Sequence, residues 1–243
     1  MNLKASALLS TLALSGAAFA QTAAPAPDYT LSFNVGAVSE YRYRGISQSR
    51  KKPALQAGAD FAHKSGFYLG TWGSTIKWIS DAGGDADVEI DVYGGYKGSF
   101  GAFGYDVGVL TYQYPDHKLP ISPNTTEVYL AGTFGPATLK YSHATSNLFG
   151  FANSKNSYYL DLSAAFDLGG GWSLTPHVGY QKVKGAANDP FSYTDYSLTL
   201  GKDFGNGLAA SAALVGTDND NYIAPNGKNL GNGTVVLGLK YSF

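Results

Sequence analysis

From Tyr29 to the last residue, apolar side chains recur at every second position, and no window holds a sustained 3.6-residue period. Successive side chains of a strand point to opposite faces, so this pattern predicts strands with one apolar and one polar face. The first segment is the clearest. Tyr29, Leu31, Phe33, Val35, Ala37, Tyr41 and Tyr43 share one parity, and Thr30, Ser32, Asn34, Gly36, Glu40, Arg42 and Arg44 share the other. Twelve such segments can be laid down, over residues 29 to 45, 54 to 62, 67 to 76, 87 to 96, 102 to 113, 126 to 134, 137 to 145, 157 to 167, 172 to 182, 192 to 204, 208 to 217 and 234 to 243. Most are close to the ~9 to 11 residues that a tilted strand needs to cross a bilayer.

The connections alternate in length. Tight glycine-bearing turns fall at Lys64 to Gly66, Lys97 to Gly101, Gly135-Pro136, Leu168 to Gly171 and Gly205 to Gly207, with longer polar loops between them. Short turns on one side and long loops on the other mark an up-and-down antiparallel transmembrane β-barrel, with an even strand count and both termini on the short-turn side. Outward-parity aromatics beside the short turns (Phe61, Phe67, Tyr96, Phe103, Phe134, Phe166, Trp172, Phe204 and Tyr241) predict an interfacial girdle. The third segment fits least well, because Trp72 falls inward if Phe67 points out, which leaves a bulge or a ten-strand count open. A secreted sandwich or lipocalin-like barrel would also alternate, but it would bury the apolar face and protect edge strands with Lys or Pro.

Residues 1–20 read as a signal peptide: a cationic start at Lys4, an apolar run, and Ala18-Phe19-Ala20 before a cleavage point preceding Gln21. Residues 21–28 are then a short linker and 29–243 the barrel. Losing Lys4 leaves 16 basic and 18 acidic side chains, a net −2, which offers nucleic acid no partner. No cysteine is present, so pairing and packing alone hold the exported chain. Aromatics at 14%, 31 glycines and only 14% charged residues suit a barrel in lipid better than a soluble globule. Val235, Leu237, Leu239, Tyr241 and Phe243 share one face of the last segment, and a terminal Phe there resembles the signal read by the barrel-assembly machinery.

Enzyme motifs are missing: no nucleophile elbow, no zinc helix, no phosphate loop. The four histidines lie in four separate segments; His143 with Thr145 is a poor match to a surface hydrolase site, which would need serine. Asp81, Asp85 and Asp87, and later Asp218 and Asp220, lie in long loops without the spacing of a calcium loop, so they read as solvated charge. No cofactor is expected. The informative set is the charged inward parity: Glu40, Arg42, Arg44, Glu89, Asp91, Glu127 and Asp195 toward the mouth, and Asp60, Asp106, Lys140, Asp161 and Lys240 deeper. Charges at mid-strand in a membrane barrel face water or one another, so these residues line a wet lumen or close it with ion pairs. A twelve-strand barrel is wider than the side-chain-filled eight-strand type, which favours the lumen.

Several blocks resemble a known family in order. Ser39-Glu40-Tyr41-Arg42-Tyr43-Arg44-Gly45-Ile46-Ser47-Gln48-Ser49, then Pro53 to Gln56, Gly66 to Ser74, Glu89 to Tyr96, Tyr105 to Gly108, Tyr112 to Pro115, Glu127 to Tyr129 and His177 to Tyr180 are similar to the successive motifs of TorF-type porins of proteobacteria. The likeness is strong over residues 29 to 145 and looser afterwards. It implies a porin-labelled barrel of the Gram-negative outer membrane, where lipid and lipopolysaccharide would be its neighbours. The function expected for such a barrel is passive diffusion of small hydrophilic solutes. The other reading is a non-conducting barrel whose long loops bind lipopolysaccharide or another protein.

Overall fold

The computed structural model describes residues 27–243, so the signal peptide and most of the linker lie outside the described residues. Among the described residues fifteen strands occur in chain order: β1 Tyr29–Val38, β2 Arg42–Tyr43, β3 Ile46–Ser47, β4 Ala54–His63, β5 Phe67–Thr75, β6 Val88–Phe100, β7 Phe103–Gln113, β8 Thr125–Phe134, β9 Ala137–Ala144, β10 Tyr158–Ala164, β11 Phe166–Gly169, β12 Trp172–Lys182, β13 Tyr193–Gly205, β14 Leu208–Thr217 and β15 Thr234–Ser242. β10 and β11 are one wall strand broken at Ala165, and β2 and β3 form a small hairpin off the wall. The remaining order is an antiparallel meander closed by β1 against β15, which makes a twelve-strand barrel.

The wall follows the alternation. Leu31, Val35, Leu69, Val92, Val107, Leu130, Leu160, Val178, Leu198 and Leu237 all point outward and are exposed, as lipid-facing residues must be. Eight of the nine girdle aromatics are exposed at the short-turn end, and Phe61, the ninth, is half-covered by stacking on Tyr29. Trp72 does point inward, in a β5 that pairs with β6 without a register shift, so neither a bulge nor a lower strand count is needed.

Two expectations need correction. The first wall strand ends at Val38 rather than at residue 45. Beyond Ser39, whose backbone N–H bonds the Leu237 carbonyl and whose hydroxyl accepts from the Leu237 N–H, the chain leaves the wall. Residues 39–53, here called L1, fold into the barrel. Tyr41 and Tyr43, whose parity predicted lipid-facing rings, lie inside instead: Tyr41 packs on Trp72 with ring centroids 5.4 Å apart, and Tyr43 on Tyr112 at 5.4 Å and Phe149 at 5.5 Å. The physical reason is the turn at Arg44-Gly45, both with positive φ (47° and 79°), which reverses the chain and lets β2 pair with β3.

A loop-inserted lumen as the candidate functional site

L1 leaves the wall between β1 and β4 and points toward β8, which lies five strands away in a barrel of twelve and so nearly opposite. At its tip Arg44 meets that far wall. Its Nη1 and Nη2 donate to Glu127 Oε1 and Oε2 at 3.0 and 2.7 Å, the fork-on-fork geometry that makes guanidinium–carboxylate pairs specific. Nη1 also donates to Gln181 Oε1 of β12 at 2.7 Å, and the guanidinium lies 4.1 Å above the Tyr159 ring of β10. One side chain thus ties the loop to three wall strands. Tyr112 adds a hydrogen bond to Glu127 at 3.2 Å, and the Glu127 side chain is only 1% exposed.

Gly45, next in the chain, rests against the opposite wall. A Cβ there would overlap Thr217 and Asp195, and its φ of 79° suits no other residue type well. Arg42 stays within the loop, donating to Glu40 at 3.1 Å and to the Gly45 carbonyl at 2.7 Å, so it braces the turn instead of crossing the lumen. Glu40 is buried with it.

The other charged residues expected on the inner face all lie there. Glu89 accepts hydrogen bonds from Tyr41 at 2.6 Å and Tyr114 at 2.7 Å, which anchors the start of L1. Asp91 is buried two residues deeper on β6, and its Oδ1 has no hydrogen-bond partner. Asp195 accepts from Tyr159 at 2.9 Å and faces His177 Nε2 at 2.8 Å, while Asp161 faces His177 Nδ1 at 3.2 Å. Lower down, Asp106 accepts from Tyr68 at 2.6 Å, Asp60 from Tyr93 at 2.5 Å, and the Lys140 ammonium sits 4.1 Å over the Tyr129 ring. Asp60, Lys140, Asp161, His177 and Lys240 are partly exposed inside the barrel, so below L1 the inner face meets water.

Tyrosines crowd this interior, away from the girdle positions. Tyr68, Tyr112, Tyr129 and Tyr159 are all buried, and each shares the parity of an inward charge on its own strand or neighbour. Room for them comes from inward glycines: Tyr68 lies across Gly95 and Tyr129 across Gly108, where a Cβ would overlap the phenol oxygen. Parity alone could have found these rings. The loop acids have found cations of their own: Asp81 pairs with Arg50, Asp85 with Lys118 and Asp87 with Lys77. Among the described residues, no group of acidic and histidine side chains could hold a metal ion.

Residues 22–243 match the model of a family described as "Bacterial protein of unknown function (Gcw_chp)". The chain belongs to that family. Sequence comparison with curated proteins finds no relative. Among solved structures, the KdgM porin superposes with a TM-score of 0.59 at 12% identity, covering 87% of this chain and 99% of that one. A second structure, "KdgM porin in complex with disordered oligogalacturonate", gives 0.59 at 11% over the same shares. The NanC porin gives 0.56 at 11%, again over 87% and 99%. The Gcw_chp chain therefore has the twelve-strand architecture of these outer-membrane porins over nearly their whole length.

Proposed function

We propose that this protein is a narrow porin-like channel of the outer membrane, passing small hydrophilic solutes passively and held at low conductance by L1. The observation that carries this is how the loop is fixed across the lumen. Its far-wall attachment is a buried ion pair supported by a carboxamide and a ring face, with Tyr43 packed on Tyr112 and Phe149 beside it, set above a partly exposed polar interior. A buried ion pair is costly to break, so it holds the lumen narrow and its loss at one position, Arg44, should release the loop tip. The motifs shared with TorF-type porins support the same reading, as does the likeness to KdgM and NanC. On this reading residues 1–20 direct export through the periplasm, the assembly machinery reads the strand ending in Phe243, Glu40 and Arg42 brace L1, and Arg44, Glu89, Asp91, Asp106, Glu127, Lys140, Asp161 and Asp195 set which ions enter. No step of it needs catalysis or a cofactor.

The burial of Tyr41 and Ile46 in the same loop favours a second reading, a shut barrel whose long loops bind lipopolysaccharide or another protein. Conductance of the refolded full chain in planar bilayers decides between them. Small, resolvable steps that grow when Arg44 is replaced by Ser support the channel. Silence from both proteins, each inserted and heat-modifiable, supports the shut barrel.

A further inference from the structure

Above L1 the long loops enclose a cavity of about 410 Å³, within the range of small-molecule sites. Its lining is aromatic, and three edge-to-face pairs build it. Tyr43 meets Phe149 at 5.5 Å and 77°, Trp78 meets Tyr114 at 5.0 Å and 84°, and Tyr193 meets Tyr222 at 5.4 Å and 79°. In such a pair the ring presenting its edge keeps both electron-rich faces clear of its partner. These six rings come from L1, from the connections after β5, β7 and β9, from the start of β13 and from the last long loop, so the cavity exists only when those segments converge.

Among the described residues no Lys, Arg or His lines the cavity, and its one charged lining residue is Asp81. The arginines close by are each committed to an acid: Arg50 to Asp81, Arg44 to Glu127 and Arg42 to Glu40. Tyr114 donates its hydroxyl to Glu89, whose two oxygens each accept a phenol, an arrangement suited to the carboxylate. A phenol hydrogen-bonded to a carboxylate gains electron density in its ring, which strengthens its pull on a cation. Part of the polar lining is already engaged: the Gln181 carboxamide by Arg44 and by the carbonyls of Tyr158 and Lys182, and one Asn221 N–H by the Pro190 carbonyl. The Trp78 indole N–H has no partner, so glucose is the probe that tests an uncharged polyol there.

We propose that this outer vestibule binds a small organic cation, an alkylated ammonium, held over the aromatic faces with Glu89 behind them. Cation–π attraction in a desolvated aromatic cage is the general chemistry of such recognition. Binding at these rings does not require conduction, and the cavity meets the Arg44 constriction only at Tyr43 and Gln181.

Calorimetric titration of the refolded full chain tests it, in a maltoside detergent that carries no ammonium group. The probes are choline and its uncharged isostere 3,3-dimethylbutan-1-ol. Choline should bind saturably at one site, and the isostere at least roughly tenfold more weakly, in line with a desolvated cation–π contribution. Glu89→Gln should weaken choline several-fold and leave the isostere unchanged, and Tyr193→Leu should weaken choline without touching the Glu89 anchor. Equal affinity for the two probes would make the vestibule a plain apolar pocket and overturn the proposal. So would tighter binding of glucose, or no binding of choline by the intact chain. Bilayer currents from the same preparation report separately on the channel reading.

Discussion

Arg44 occupies backbone space that a side chain rarely visits, with φ of 47°, and its contacts hold it there. The fork on Glu127, the Gln181 carboxamide and the Tyr159 face each fix one aspect of a planar, delocalised cation, which a lysine ammonium would not match. The two arginines therefore play different parts. Replacing Arg44 with Ser should raise single-channel conductance several-fold and shift permeability toward cations, because Glu127 then faces the lumen unneutralised. Arg42→Ser leaves the crossing intact and should change the reversal potential in a salt gradient little. Equal effects of the two substitutions would remove the cross-lumen pair from the account of selectivity. Much of this set was legible in advance. Inward parity places Arg42 and Arg44 with Glu89, Asp91 and Glu127 toward the mouth without saying which arginine crosses the lumen, and it puts Asp106, Lys140, Asp161 and Asp195 on the face on which they lie. Gln181 was not legible, since a neutral amide gives no charge signal, although it shares the parity of His177 and Gly179.

L1 shows where alternation stops being informative. Tyr41, Arg42, Tyr43 and Arg44 continue the rhythm of β1 without interruption, so the pattern alone extended the strand to residue 45. What ends it is local: the Ser39 hydroxyl taking the Leu237 N–H, and the Arg44-Gly45 turn. Neither has a periodic signature. The twelve wall strands, by contrast, were legible because one apolar face must meet lipid along each strand, and that demand repeats. The tight turns fell within a few residues of their places for the same reason, since glycine with positive φ occurs at Gly66, Gly101, Gly135, Gly171 and Gly207. The seat of the loop can be tested at Gly45. Valine there meets backbone strain and the side chains of Thr217 and Asp195, so Gly45→Val should lift L1 while the wall stays closed. Trypsin added to intact cells should then cut faster at Arg50, Lys51 or Lys52, and the heat-modifiable gel shift should persist. Unchanged cleavage would mean that the loop's seat does not depend on this turn.

The whole molecule is a closed surface, and closure sets its orientation and its weakest seam. If the short turns face the periplasm, labels at Asp81, Asn124, Asn153 and Asn226 should react from outside intact cells and labels at Gly135 or Asn206 should not; equal reactivity would overturn that orientation. The seam between β1 and β15 carries five registered pairs, from Asn34 with Ser242 to Val38 with Gly238, against ten between β1 and β4. Phe243 lengthens it. Its N–H and carbonyl exchange hydrogen bonds with Phe33 at 3.0 and 2.8 Å, and the two rings stack at 5.8 Å on the lipid side. A barrel in lipid has no water to satisfy an opened strand edge, so those two bonds matter more than their number implies. Deleting Phe243 should therefore lower both the amount inserted and the temperature of the heat-modifiable shift. Phe243→Ala keeps the backbone bonds and removes the ring, so it separates recognition from seam strength: insertion should slow while the shift temperature falls only slightly. If the deleted chain reached the outer membrane at the normal level and unfolded at the normal temperature, then neither recognition nor closure would depend on this residue, and the seam would be held by its five remaining pairs and the Ser39–Leu237 bonds.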